Sequence, residues 1–268
     1  MKVLITGASS GIGAALAREF AAKGADLILI ARRTDRLQEL AREIEALGRS
    51  CLVCAGDVTQ PEDLKKAVQA ALDRFGQIDV AVANAGFGVV GRLERLTVED
   101  YRRQFETNVF GLLNTVYATL EPLKKSRGSL VLIGSIASYI SVPAGSPYSM
   151  SKFAVRALAE SLRPELAPHG VAVTLISPGF IESEIRQVDN KGKWHAKGAE
   201  PVSRRLVMPA TTAARQMVHA IVQRRREKII TWHGYFATFA ALHFRWLIAW
   251  LLMRRPLESR KEPSAAKA

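Results

Sequence analysis

Short apolar runs alternating with amphipathic helical stretches constrain this chain more than any other feature. KVLIT (2–6) leads to a helix over 11–24, DLILIA (26–31) to a helix over 36–48, and CLVCAGDV (51–58) to a helix around 61–75. IDVAVANAG (78–86) precedes a long helix over 98–125 with a break in it. GSLVLIGS (128–135), a helix over 147–167 and VAVTLISPG (171–179) continue the series. Runs that are apolar throughout belong to strands buried on both faces, as in parallel sheets. Strand and helix alternating at this spacing predict an α/β fold with a doubly wound parallel sheet. A last helix (209–226) and the short strand KIIT (228–231) close the pattern, so residues 1–231 read as one domain and 232–268 as an extension of it.

The rhythm breaks once inside the domain. Residues 180–208 are polar and rich in Gly and Lys. A connection of that length is a functional lid or a disordered segment, and a lid closing over the site is the reading taken forward.

Charge is distributed unevenly. Of the net charge of +13, residues 1–203 carry +3 (25 Lys/Arg, 22 Asp/Glu) and residues 204–268 carry +10 (13 against 3). A basic end of this kind suits an anionic membrane surface or nucleic acid. The aromatic residues there sit among aliphatic ones rather than basic ones, which argues against nucleic acid. Nothing in MKVLITGASSG reads as a signal peptide, and a reducing cytoplasm is expected. The two cysteines, Cys51 and Cys54, lie three apart on a strand, so their thiols point to opposite faces and are structural. No metal site is expected.

TGASSGIG (6–13) stands between the first strand and the first helix. Gly7 permits a tight turn, Gly11 lets the backbone approach a ligand, and Gly13 allows close packing of helix on strand. The helix start then offers free N–H groups and a positive dipole end to a pyrophosphate. YSMSK (148–152) carries a second chemical signal. On a helix Tyr148 and Lys152 share a face. A phenol with a pKa of about 10 exchanges protons poorly at neutral pH, and an adjacent ammonium favours the phenolate. Ser135 follows the fifth strand, at the carboxyl end of the sheet where open α/β folds bind ligands.

Taken with GDV (56–58), NAG (84–86), Asn108, GSIAS (134–138) and SPG (177–179), in this order, the sequence resembles the short-chain dehydrogenase/reductase family over about residues 2–231. The resemblance implies a Rossmann-type sheet of about seven strands and an oxidoreductase. It implies Tyr148 as proton donor, Ser135 as the residue orienting substrate, Lys152 as ribose contact and tuner of the tyrosine, and Asn108 as a member of a proton relay. Cofactor contacts are implied for Gly7, Ser9, Ser10, Gly11, Ile12 and Gly13, for Asp57 and Val58 at the adenine, and for Asn84, Ala85 and Gly86. Tyr148, Lys152, Pro178, Gly179, Ile181 and Ser183 complete the set, with Ser183 standing where the family often has Thr. The family also assembles dimers or tetramers through helices like those at 98–125 and 147–167.

An acidic residue at the end of the second strand would accept from the ribose 2′-OH of NAD. Here the sequence is ILIARR, and Arg32 and Arg33 attract a 2′-phosphate, so NADP(H) is expected, with Arg32 the more important of the two.

The extension is the remaining puzzle. From Ile229 to Met253 the ionisable groups are His233, His243 and Arg245, and Trp232, Tyr235, Trp246 and Trp250 are typical interface residues. A continuous helix of this length would span about 37 Å, enough for a bilayer core of about 30 Å. Arg245 argues against a simple span, since a central arginine costs roughly 2.5–3.5 kcal/mol on insertion scales. Thr231, Gly234, Thr238, Ala241 and Arg245 form a narrow small or polar stripe, which suits a helix lying in the interface with Arg245 reaching to the headgroups. A helix or hairpin packed on the domain or across a dimer is the alternative. These readings combine into an NADPH-dependent reductase of a hydrophobic ketone, peripheral to the cytoplasmic face of a membrane. A soluble 3-oxoacyl thioester reductase and a non-catalytic NADPH-binding adaptor are the competitors.

Overall fold

Seven parallel strands in the order β3-β2-β1-β4-β5-β6-β7 form the centre of the computed structural model, which describes residues 1–195 and 206–254. The strands are β1 (Lys2–Thr6), β2 (Asp26–Ala31), β3 (Cys51–Ala55), β4 (Val80–Ala83), β5 (Ser129–Ile133), β6 (Ala172–Pro178) and β7 (Glu227–Ile230). Every pairing is parallel, so each crossover is a helix, as the alternation predicts. The chain runs outward from β1 to β3, then returns to place β4 on the other side of β1. That reversal opens a crevice at the carboxyl ends of β1 and β4, the place where such sheets bind ligands.

The alternation of side chains across the sheet divides the core into two layers. Val3, Ile5, Leu27 and Leu29 point to one face and pack on α1 (Gly11–Ala22), α2 (Thr34–Ala46) and α7 (Ala210–Val222). Leu4, Ile28, Ile30 and Leu132 point to the other and meet α3 (Pro61–Phe75), α5 (Gly111–Ser126) and α6 (Ser146–Leu166). Cys51 belongs to the first layer and Cys54 packs against the second, so the thiols diverge as expected. Burial pushes the Cys51 thiol up to about 12, which keeps it protonated and inert.

The break expected within 98–125 is real and specific. α4 (Val98–Phe105) passes into a π-helical turn at Glu106–Phe110 before α5 begins, and Asn108 sits in that turn. Such turns interrupt the i→i+4 ladder and are frequent at functional sites. The expected helix over 209–226 ends sooner, at Val222. Arg224 there takes a positive φ of 51° as the chain turns into β7.

The extension departs furthest from a straight helix. α8 (Trp232–His243) and α9 (Arg245–Arg254) meet at a bend of 109°, and among the described residues no single helix is long and apolar enough to cross a membrane. Of the stripe expected to face headgroups, Thr231, Gly234, Thr238 and Ala241 are buried against the protein, while Arg245 is exposed beyond the bend, at the start of α9. Small side chains let α8 lie close to its neighbours. A Cβ on Gly234 would fall 2.9 Å from the Ile136 side chain. The aromatic residues are left outward, with Trp232 66% and Phe236 64% exposed. Of the expected lid, residues 196–205 lie outside the described set, and so does the polar tail from 255 onward.

Candidate active site

The glycine loop is shaped by contacts that a side chain would destroy. Gly7 has φ +66°, and a Cβ there would lie 2.8 Å from the Cα of Ala85. A Cβ on Gly13 would lie 2.3 Å from the carbonyl oxygen of Gly7. Asn84 ties this loop to the end of β4. Its Nδ2 donates to the carbonyls of Thr6 (2.9 Å) and Gly7 (3.2 Å), and its backbone N–H donates to the Thr6 hydroxyl at 3.1 Å. Ala85 N–H shares the same hydroxyl at 3.3 Å. Gly86 lets Asn108 approach, since a Cβ would sit 3.0 Å from the asparagine Oδ1.

Helix α1 begins at Gly11 with Ile12 and Gly13 in its first turn, and Ser10 as N-cap makes no side-chain cap. Its hydroxyl instead accepts from Arg33 Nη2 at 2.7 Å, and Ser9 Oγ accepts from the same nitrogen at 3.1 Å. The first-turn N–H groups are therefore left facing the crevice, where an anion would satisfy them. The residues present fit a dinucleotide with its pyrophosphate at this helix start.

At the adenine end, Asp57 Oδ1 accepts from the backbone and hydroxyl of Thr59 (3.0 and 2.9 Å), and Arg32 Nη1 lies 3.6 Å from its other oxygen. Val58 is buried, and its carbonyl accepts from Asn114 at 2.9 Å. Both arginines come to this end, by different routes. Arg33 lies across the loop hydroxyls, while the Arg32 side chain is 69% exposed. The opposite wall is made by the end of β6. Gly179 N–H donates to Ile230 O at 3.1 Å, and Ile181 is buried and bridged to Met208. Ser183 rests on the glycine loop, 3.1 Å from where a Cβ on Gly11 would be.

The catalytic candidates converge at the ends of β5 and α6. Ser135 leaves β5 in extended conformation and opens a short turn at Ile136–Ser138 that packs on α6. Its Oγ accepts from Ala137 N–H at 3.1 Å, which leaves the hydroxyl proton to donate. Tyr148 and Lys152 stand one turn apart on α6, and Lys152 Nζ lies 5.8 Å from the centre of the Tyr148 ring. The lysine is buried, donates to the carbonyl of Ile133 at 2.8 Å, and is pushed down by burial to about 8. A cation held this close favours the ionised phenol.

Asn108 does more than the sequence implied. Its Oδ1 accepts from Phe87 N–H at 3.1 Å, while its Nδ2 donates to Phe87 O at 3.0 Å and to Ser151 Oγ at 3.2 Å. The side chain clamps the loop after β4 onto α6. Gln104, one turn earlier and fully buried, shares this work, donating to Phe87 O at 2.9 Å and accepting from Val89 N–H at 2.6 Å. Its i, i+4 relation to Asn108 was readable in the sequence and went unused.

Three further groups were missed. Glu184 pairs with Arg33 and Arg36. Tyr139, Glu227 and Ser177 form a hydrogen-bonded group beside the Ser135 turn, with Arg156 4.3 Å over the tyrosine ring. His233 of α8 stacks on Phe180 at 5.4 Å, next to the Gly179 wall.

The model of the short chain dehydrogenase family matches residues 1–194. The chain belongs to that family. The chain is 35% identical to 11-beta-hydroxysteroid dehydrogenase A of Sesamum indicum across 99% of its own length and 79% of the relative's. A short-chain dehydrogenase from Sphingobium yanoikuyae, solved with NADPH, is 29% identical with a TM-score of 0.75, covering 100% of this chain and 98% of that one. One from Burkholderia phymatum, solved with NAD, is 25% identical with a TM-score of 0.81 and covers 96% of each chain. This short-chain dehydrogenase is thus an oxidoreductase interconverting a ketone and an alcohol with a nicotinamide cofactor.

Proposed function

We propose that this short-chain dehydrogenase is an NADP(H)-dependent ketoreductase of a hydrophobic, lipid-like ketone, or of the corresponding secondary alcohol, with Tyr148 as the acid and base. The observation that carries the reading is the buried Lys152 ammonium beneath the Tyr148 ring, at the same sheet end as Ser135. When bound, the nicotinamide supplies the hydride. The chain does the rest. Ser135 donates a hydrogen bond to the substrate oxygen and fixes its position. Tyr148 gives that oxygen its proton, and Lys152 stabilises the phenolate left behind. Asn108 and Gln104 hold the wall at Phe87–Val89 against α6.

The cofactor preference is supported by Ala31, which puts no carboxylate of its own at the end of β2, and by the guanidinium groups of Arg32 and Arg33 that follow it. A hydrophobic substrate is supported by α8, which packs on the Ser135 turn and on Phe180 and turns aromatic side chains outward. That exposed apolar face, continued by α9 with the exposed Arg245 and Arg254 at its two ends, fits a peripheral seat on an anionic membrane surface. We also infer a homo-oligomer, from the family's habit of pairing through such helices.

The test is NADPH oxidation by the purified chain with a fractionated lipid extract, beside a panel of small ketones and acyl thioesters. Turnover concentrated in one lipid fraction supports the reading. Turnover confined to acyl thioesters makes the extension a packing element and the chain a soluble 3-oxoacyl reductase.

A further inference from the structure

The segment after β6 meets the cofactor end of the sheet through one carboxylate. Glu184 accepts from Arg33 Nη1 at 2.9 Å through one oxygen and from Arg36 Nη1 at 2.6 Å through the other. Arg33 is at the same time held by Ser9 and Ser10, so its guanidinium is fixed over the glycine loop. Arg36 is flanked on its other side by the Trp194 ring, 5.3 Å away. Burial would raise Glu184, but hydrogen bonds from Arg36 and Arg33 outweigh it and hold the carboxyl below its usual range. The group is therefore an anion in a two-arginine clamp, at the end of β2.

We infer that Glu184 is a built-in competitor of a 2′-phosphate for Arg33 and Arg36, and so sets how strongly the chain discriminates NADP(H) from NAD(H). The inference rests on the cofactor preference proposed above. A 2′-phosphate at the end of β2, beside the exposed Arg32, would also draw on the guanidinium forks that Glu184 engages. With Glu184 in place the clamp carries a net charge of +1. Without it the clamp carries +2, and a dianionic phosphate gains more. NAD(H), with a hydroxyl there, makes no demand on the pair, so its affinity is independent of Glu184.

Displacing the carboxylate also has a mechanical consequence. Residues 184–195 form a strap whose far side is tied down by Asn190. Asn190 exchanges two hydrogen bonds with the backbone of Val90 (3.0 and 2.8 Å), and its carbonyl accepts from Arg103 at 2.8 Å. Its near side is held at Glu184 and Trp194. A phosphate that takes Arg33 and Arg36 releases the near side alone, so occupancy of the phosphate site is reported to the segment lying against the glycine loop.

The experiment is equilibrium binding of 2′,5′-ADP and 5′-AMP to the wild-type chain, to Glu184→Gln and to Glu184→Asp, with hydrogen exchange of the 184–188 amides followed in the wild type. Glu184→Gln should bind 2′,5′-ADP at least about 5-fold more tightly, the lower end of ordinary coupling between two sites, and 5′-AMP as before. Glu184→Asp keeps the charge and should stay near wild type, which a merely structural role for the side chain would not produce. In the wild type, 2′,5′-ADP and not 5′-AMP should speed exchange at 184–188. If the wild type prefers 2′,5′-ADP but Glu184→Gln binds it no better, or worse, the competitor role is overturned. If the wild type binds both nucleotides equally, the NADP(H) preference itself fails, and the inference with it.

Discussion

Lys152 Nζ donates to the carbonyl oxygen of Ile133 at 2.8 Å, which joins α6 to the last residue of β5. Burial without a carboxylate partner lowers this lysine from 10.5 to about 8. The sign follows directly. A lowered pKa means that the positive charge beside Tyr148 is lost as pH rises through about 8 rather than above 10. Ketone reduction should therefore show a kcat/KM limb falling above about pH 8. Lys152→Arg keeps its charge across the whole working pH range and should abolish that limb, at some loss of rate from the tighter fit. A profile in which both forms fall together would exclude Lys152 as the titrating group.

Replacing Tyr148 by Phe removes the hydroxyl proposed to donate the proton, while the ring keeps its packing beside Gly88. Turnover should drop by about 10²- to 10⁴-fold, the ordinary worth of a positioned acid. Binding of the nicotinamide cofactor, followed by fluorescence titration, should be nearly unchanged. Retention of normal turnover would sink the assignment.

Much of this site was legible because its chemistry is written in local spacing. Tyr148 and Lys152 are related by one helical turn, and Ser135 follows a strand whose apolar run ends at Ile133. The glycines were readable because a Cβ is geometrically forbidden at Gly7 and Gly13. The Glu184–Arg33 pair was not readable, because it joins residues 151 positions apart and neither belongs to a periodic pattern. The stripe at Gly234, Thr238 and Ala241 was seen and assigned to the wrong surroundings. Helical spacing says which residues share a face, and only the fold says whether that face meets protein or solvent. The bend after His243 was likewise hidden, since neither Gly nor Pro marks it.

Asn108 gives a prediction about stability. Among its bonds, the one from Phe87 N–H has no substitute, whereas Phe87 O also receives Gln104 Nε2. Asn108→Ala should cost about 1–3 kcal/mol through that buried, unpaired donor. Combining it with Gln104→Ala strips Phe87 O as well, so the double variant should lose more than the sum of the single ones. Urea unfolding of the four proteins measures this, and simple additivity would mean that the two amides do not act on one loop.

The exposed face of α8 can be tested without removing the helix. Truncation at Thr231 would also delete His233, which stacks on Phe180, and Gly234, which packs on Ile136, so it would disturb the active site along with any membrane contact. Trp232, Phe236 and Phe239 lie on the outward side, and changing all three to Ser leaves the buried Gly234, Thr238 and Ala241 in place. Each aromatic ring removed forfeits roughly 1.5–3 kcal/mol of apolar burial where it had entered a lipid surface. The triple variant should cease to sediment with liposomes containing anionic lipid while still reducing small water-soluble ketones at the wild-type rate. Wild-type sedimentation should weaken as salt rises, because the charges of Arg245 and Arg254 on the adjoining α9 are screened over about 10 Å at 0.1 M. If the variant sediments as well as the wild type, α8 is not what seats the protein on the membrane. If it stays soluble but loses lipid turnover alone, the same face both anchors the enzyme and admits its substrate.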